Sequence, residues 1–253
     1  MRQPKFLRTT YWSGEARPSH RARCRQLFPL TVIHSSLLSA TNDMGPIAII
    51  ESRWWSEGNH TVRNLIEAVA AVHYGNPSAF FYDMFADRSS LATIFQTRAT
   101  DGTTEVIYLA SHGDQNNIGP TRNNAISRAE FRNLIRLANT NAALKGLFLG
   151  TCLTGTLQTA EFFFQNNVTR LDWVAGYRES VDWVDGSAID MVFMSKLAEL
   201  YVANRRKRRG KLSPKEMAHE AATRLVRLIP GAHGQYLFNI YFNEGNTVRQ
   251  MFT

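Results

Sequence analysis

Cysteine is scarce: only Cys24 and Cys152 occur in 253 residues. Two thiols so far apart cannot make a disulfide framework, and without a Cys-x-x-Cys spacing they carry no structural zinc signature. The expectation is a fold that rests on its core, in a reducing compartment such as the cytoplasm, where a thiol stays free to act as one. Also missing is any run of about 18 apolar residues, the least that crosses a bilayer. The stretch 27–40 is broken by Pro29, His34, Ser35 and Ser36, so it does not read as the apolar region of a secretion signal. Internal repeats and low-complexity segments are absent as well.

What is present is an apolar content of 44%, enough for a sizeable core. The formal net charge of +8 is unevenly placed. Arg2, Lys5, Arg8, Arg17, Arg21, Arg23 and Arg25 stand against Glu15 alone, which puts +6 into residues 1–42 and leaves +2 for the rest. The run "RRKRRGK", 205–211, more than accounts for that remainder, so the body of the protein is not basic. With no aromatic partners interleaved in the run, nucleic acid is not an expected ligand. Residues 1–44 are expected to be a basic, disordered tail, and 45–253 to be one domain.

From Pro46 onward short apolar runs alternate with helix-length amphipathic segments, the pattern of an α/β fold with a mainly parallel sheet. Strands are expected over 47–55, 79–85, 105–113, 145–152, 171–177 and 235–242. The helix at 61–74 would present Val62, Leu65, Ile66, Val69 and Val72 on one face. Further helices are expected at about 89–98, over 127–139 with Ser127 and Glu130 as a capping box, over 156–167, at about 186–204, and from Ser213-Pro214 to about Leu228.

Parallel sheets gather functional groups at the carboxyl ends of their strands. One apolar strand ends in "SHGD" with His112, and the next ends in "GTCLTG" with Cys152. If the two strands are neighbours, the imidazole and the thiol share an edge. A histidine there takes the thiol proton, and the thiolate attacks a carbonyl carbon. Leu153 and Thr154 lead into a helix whose positive N-terminal end would favour the thiolate. Gly113, with no Cβ to block approach, and the Cys152 amide are candidate donors to the developing oxyanion. Against this stands the plainer reading of a lone cysteine as a small buried residue and of His-Gly as a turn.

An apolar strand ending His-Gly, a helix, and an apolar strand ending in cysteine 40 residues later resemble the caspase-like cysteine peptidases. The stretch 174–226, "VAGYRESVDWVDGSAIDMVF…", is similar to the CHAT and separase-like branch, and the likeness spans about 46–243. The resemblance implies a three-layer α/β/α sandwich with about six central strands. It also implies an endopeptidase without cofactor or metal, in which His112 is general base and acid, Cys152 the nucleophile, and the Gly113 and Cys152 amides the oxyanion hole. Protein or peptide substrate would lie extended beside 175–180, at Tyr177. Glu179, Asp182 or Asp185, facing inward, would favour a basic side chain at the cleaved position; the plainer alternative makes them solvated loop acids and helix N-terminal charges. The turn reads Gly150-Thr151-Cys152-Leu153-Thr154 where caspases carry Gln-Ala-Cys-x-Gly, so aspartate specificity is not implied. A regulatory partner and a role in bacterial, including antiviral, defence or in regulated cell death belong to the same implication. Arg205, Arg206, Arg208 and Arg209 are candidate self-cleavage points, or simply an exposed connector.

Rival readings stay open. A glutamine-amidotransferase-like thiol hydrolase would carry Gly-x-Cys-x-Gly and draw its base from downstream, His219 or His233; here Thr154 occupies the second glycine position. A cysteine phosphatase would need arginine where Gln158 stands. A non-catalytic interaction domain would keep the fold without the chemistry.

Overall fold

The computed structural model describes residues 44–253, so the basic N-terminal segment apart from Met44 lies outside the described residues. The elements run β1 (Ile47–Ser52), α1 (Arg63–Tyr74), β2 (Phe81–Phe85), α2 (Arg88–Thr100), β3 (Val106–Ala110), β4 (His112–Gly113), β5 (Asn117–Gly119), β6 (Ile126–Ser127) and α3 (Arg128–Ala138). They continue through β7 (Gly146–Gly150), α4 (Leu157–Phe164), β8 (Trp173–Tyr177), α5 (Trp183–Arg206), α6 (Pro214–Leu228), the single turn α7 (Gly231–Gly234), β9 (Phe238–Asn243) and β10 (Val248–Gln250). Seven strands form the central sheet in the order β10-β9-β8-β7-β3-β1-β2. β8, β7, β3, β1 and β2 are parallel, while β9 and β10 add antiparallel.

Successive residues of a strand point to opposite faces, and this alternation divides the core in two. Ile47, Ile49, Tyr108, Phe148, Trp173 and Tyr177 face α1, α5 and α6. Ala48, Ile50, Leu109, Leu147, Leu149 and Val174 face α2, α3 and α4. The result is an α/β fold of three layers around a mostly parallel sheet. Every residue of β1, β3 and β8 is buried, which is why these strands read as continuous apolar runs rather than alternating ones. Each large side chain so buried contributes roughly 1.5–3 kcal/mol.

Most expected helices lie within a few residues of their sequence boundaries, and the capping box at α3 is present: Ser127 Oγ accepts from Glu130 N, and the Glu130 carboxylate accepts from Ser127 N. The expected stripe on α1 is narrower than its sequence suggests. Val62, Ile66 and Val69 are buried, but Val72 is 78% exposed. His73 takes the inward position instead, with Nε2 2.8 Å from Ser195 Oγ of α5. Two features escape the sequence pattern: the three-stranded antiparallel sheet β4-β5-β6 and the edge strand β10. Among the described residues no helix is long and apolar enough to cross a membrane.

The strand order places a switch point between β1 and β3. After β1 the chain crosses to one face through α1, and after β3 it crosses to the other through α3. Diverging connections of this kind open a crevice beyond the carboxyl ends of the strands.

Candidate active site

The two chemistry-bearing strand ends are neighbours. β3 and β7 pair in parallel with Ala110 opposite Gly150, so Ser111-His112 and Thr151-Cys152 leave the sheet side by side. Past Gly150 the chain makes a tight turn rather than entering a helix. Leu153 adopts φ +61°, a left-handed conformation that costs a non-glycine residue about 1–2 kcal/mol. The turn is closed by a short hydrogen bond between the Thr151 and Thr154 hydroxyls and by Thr154 Oγ1 donating to Thr151 O at 3.3 Å. Gly155 N then donates to Tyr177 O at 2.8 Å, which staples the turn to β8. A Cβ at Gly155 would lie 2.1 Å from the Gly176 carbonyl carbon, so only glycine permits this approach. The N-cap of α4 is Thr156. The helix therefore begins where its sequence places it, but four residues separate Cys152 from the cap, and a helix dipole fades within a turn.

From the other side, β4 packs against the same turn. A Cβ at Gly113 would stand 2.9 Å from the Cys152 carbonyl oxygen and 2.9 Å from Thr151 Cβ. The His-Gly pair and the cysteine turn thus touch backbone to backbone.

His112 and Cys152 line one cleft of about 210 Å³, together with Trp54, Ser111, Asp182, Trp183 and Asp190 among others. The thiol donates to Val181 O at 3.6 Å, and among the described residues it makes no hydrogen bond to His112. The imidazole is held instead by aromatic contact: the Trp54 ring meets it edge-on, with centroids 5.9 Å apart. Trp54 belongs to the loop between β1 and α1, and this loop is tied at its far end by buried Glu51. That carboxylate accepts from Thr61 Oγ1, from Tyr82 Oη and from Val62 N. Trp183, at the start of α5, donates its indole N–H to His60 O at 2.8 Å and packs on the His60 ring. The β1–α1 and β8–α5 loops, which lead to helices on the same face of the sheet, thus meet over the cleft.

The chain matches no protein-family model and no curated protein. Its chemistry therefore has to be read from the cleft itself.

The cleft also holds a buried acid that the sequence pattern does not single out. Asp190, on the second turn of α5, lies at the cleft floor and is buried. Its carboxylate accepts from Tyr108 Oη at 2.6 Å and from Tyr177 Oη at 2.5 Å. Burial pushes its pKa up to about 7, against the two tyrosine hydrogen bonds, which pull it down. Both phenols are driven well above their ordinary range, first by burial and then by the neighbouring Asp190 charge.

The expected acids fall differently. Asp182 lines the cleft, but its carboxylate is the N-cap of α5 and accepts from Val184 N and Asp185 N. Asp185 is exposed, outside the cleft lining, and receives a hydrogen bond from Tyr236 Oη. Glu179 is also exposed and outside the lining; its backbone carbonyl accepts from Leu153 N at 3.5 Å. Tyr177 does line the cleft, and its hydroxyl holds Asp190.

Neither downstream histidine lines the cleft. His219 packs on the Phe242 ring, and His233 Nδ1 is 3.0 Å from Phe238 O. The basic run is remote as well. α5 has 24 residues, about 35 Å of rise at ~1.5 Å each, and separates the cleft at its start from Arg205 at its end. Arg205 reaches Met44 O, ahead of β1 on the opposite edge of the sheet. Cleavage of Arg205, Arg206, Arg208 or Arg209 by the same molecule is incompatible with that separation and would need a second molecule. Among the described residues no group of three or more His, Cys, Asp or Glu side chains is arranged to hold a metal ion.

Proposed function

We propose that the protein is a cysteine endopeptidase of the caspase-like type, akin to the CHAT and separase-like branch, that cleaves after a basic residue. The observation that carries this reading is the placement of His112 and Cys152 on adjacent strand ends lining one cleft. His112 takes the Cys152 proton, and the thiolate forms a bond to the scissile carbonyl carbon. The negative charge that develops on the carbonyl oxygen is met by the Gly113 and Cys152 amides. As the tetrahedral adduct collapses, the C–N bond breaks and the imidazolium returns its proton to the leaving nitrogen. Water then hydrolyses the thioester with His112 again as base. In the reactive state the thiol exchanges its bond to Val181 O for one to His112, because catalytic hydrogen bonds tighten only when substrate is bound.

Asp190 supports the basic preference. A lysine or arginine side chain entering the cleft would find a carboxylate already oriented by two phenols, and a charge-assisted hydrogen bond there is worth about twice a neutral one. Thr154 in place of a second glycine, and two downstream histidines away from the cleft, weigh against a thiol hydrolase with a later base. The test is a peptide-library cleavage assay with wild type, Cys152→Ala and His112→Ala. Cleavage after Lys or Arg is expected from wild type alone, and equal turnover by all three proteins would overturn the reading.

A further inference from the structure

We propose that a second cavity, reached past His112, is the subsite for the departing half of the substrate, and that Arg122 selects a carboxylate there. The inference rests on the peptidase reading and adds to it where the C-terminal side of the scissile bond lies and what it carries. The cavity encloses about 460 Å³ between β4, β5 and the turn before β6, with Gly113, Asp114, Asn117, Pro120 and Arg122 in its wall. His112 is the one residue that lines both this cavity and the cleft that holds Cys152 and Asp190.

The chemistry assigns the two sides. The acyl half of the substrate becomes bonded to Cys152 Sγ, so its side chain occupies the cleft that Cys152 lines. The amine half receives its proton from the imidazole at the moment the C–N bond breaks, so it must lie against His112. A cavity that shares His112 but not Cys152 is where that half fits. An extended chain advances about 3.4 Å per residue, so the first few residues after the cleaved bond pass along this wall.

The charged groups there are unequally committed. The Asp114 carboxylate is used within its own turn, accepting from Asn116 N at 2.7 Å, Asn117 N at 2.8 Å and the Asn117 side-chain amide. Those hydrogen bonds, and after them the nearby Arg122 charge, hold its pKa below the ordinary value. Arg122 sits in a single 3₁₀ turn capped by the Thr121 side chain, is exposed, and has no ion-pair partner among the described residues. Its planar donor fork fits a carboxylate in bidentate fashion. That carboxylate comes either from an acidic side chain or from the free C-terminus of a short substrate.

The test uses quenched fluorogenic peptides with lysine or arginine before the scissile bond. One series places Glu or Gln at each of the first three following positions, with the C-terminus amidated. A second ends at those positions with a free carboxylate or an amide. Wild type, Arg122→Gln and Arg122→Glu are compared by the ratio of kcat/KM within each peptide pair, which cancels any change in fold or in amount of active enzyme. Wild type is expected to prefer the carboxylate at one position by about fivefold, the upper range for a solvent-exposed ion pair. Arg122→Gln should abolish the preference and Arg122→Glu should invert it; the series that responds names the source of the carboxylate. A ratio near one in wild type, or a preference that survives in Arg122→Gln, overturns the subsite while leaving the peptidase intact. Absence of Cys152-dependent cleavage of every peptide overturns both.

Discussion

Replacing Asp190 with asparagine isolates the most perturbed acid of the cleft. An aspartate pKa raised from 3.8 to about 7 means that the folded protein keeps a proton that the unfolded chain gives up. The sign follows: the residue's favourable contribution is complete below about pH 4 and is lost as pH climbs to 7. At about 1.4 kcal/mol per unit over roughly three units, the loss is about 4 kcal/mol. Asparagine cannot ionise, and its cost is constant: it presents one acceptor oxygen to two phenols, so about one hydrogen bond is lost, about 1 kcal/mol. Wild type should thus be the more stable protein at pH 4, and Asp190→Asn the more stable by about 3 kcal/mol at pH 8. The measurement is urea unfolding of both proteins from pH 4 to 8 at fixed ionic strength, read as the difference in unfolding free energy. Subtraction removes every other titrating group, including the helix-capping acids Asp87, Glu130 and Glu216, whose lowered pKa values act in the opposite direction. A difference that stays flat with pH would refute the claim that burial outweighs the two tyrosine hydrogen bonds.

Three further outcomes test other parts of the site. With Asp190 ionised only above about pH 7, wild type should raise its kcat/KM for an arginine peptide relative to a norleucine peptide as pH rises from 6 to 8, and Asp190→Asn should lose that rise. Gly155→Ala should cost about 2–3 kcal/mol in thermal or urea unfolding, because its Cβ has nowhere to go but into the backbone of Gly176. Gly113→Ala meets milder contacts at 2.9–3.0 Å; stability should fall by less than about 1.5 kcal/mol while kcat/KM drops at least tenfold, since displacing the Cys152 turn by a few tenths of an ångström spoils alignment.

What the sequence reveals follows from how its residues are buried. β1, β3, β7 and β8 stand out because both their faces are covered, so apolar residues run without interruption. The ends of β3 and β7 follow from the same runs, and with them His112 and Cys152. The sheet β4-β5-β6 is hidden in "HGDQNNIGPTRNNAIS", where Ile118, Gly119, Pro120 and Ile126 are buried and no alternation survives. Its strands are held by backbone pairing and by the Asp114 turn, which leave little trace in hydropathy. Asp190 is missed for a different reason: an acid in a helix is most often a solvated one. A signal exists nonetheless. Gly186, Asp190, Phe193, Leu197 and Tyr201 recur at helical spacing and are all buried, so the stripe that packs α5 on the sheet passes through the carboxylate. Glu179, on the connection before α5, and Asp185, in its first turn but off the buried stripe, are not carried inward.

The joint held by Tyr108 and Tyr177 has a consequence for how such a cleft changes over time. Both rings are part of the core, packed edge-on against Phe148, and both hydroxyls end on Asp190. A mutation that neutralises the floor strands one or two buried phenols, while a mutation that removes a phenol opens the core and leaves a buried acid with half its partners. Selectivity at this position is therefore inherited as a block of three residues. Divergence between descendants of this protein is expected to proceed through the rim, at Trp54, Asp182 and Arg122, where one substitution can alter recognition without reopening the interior.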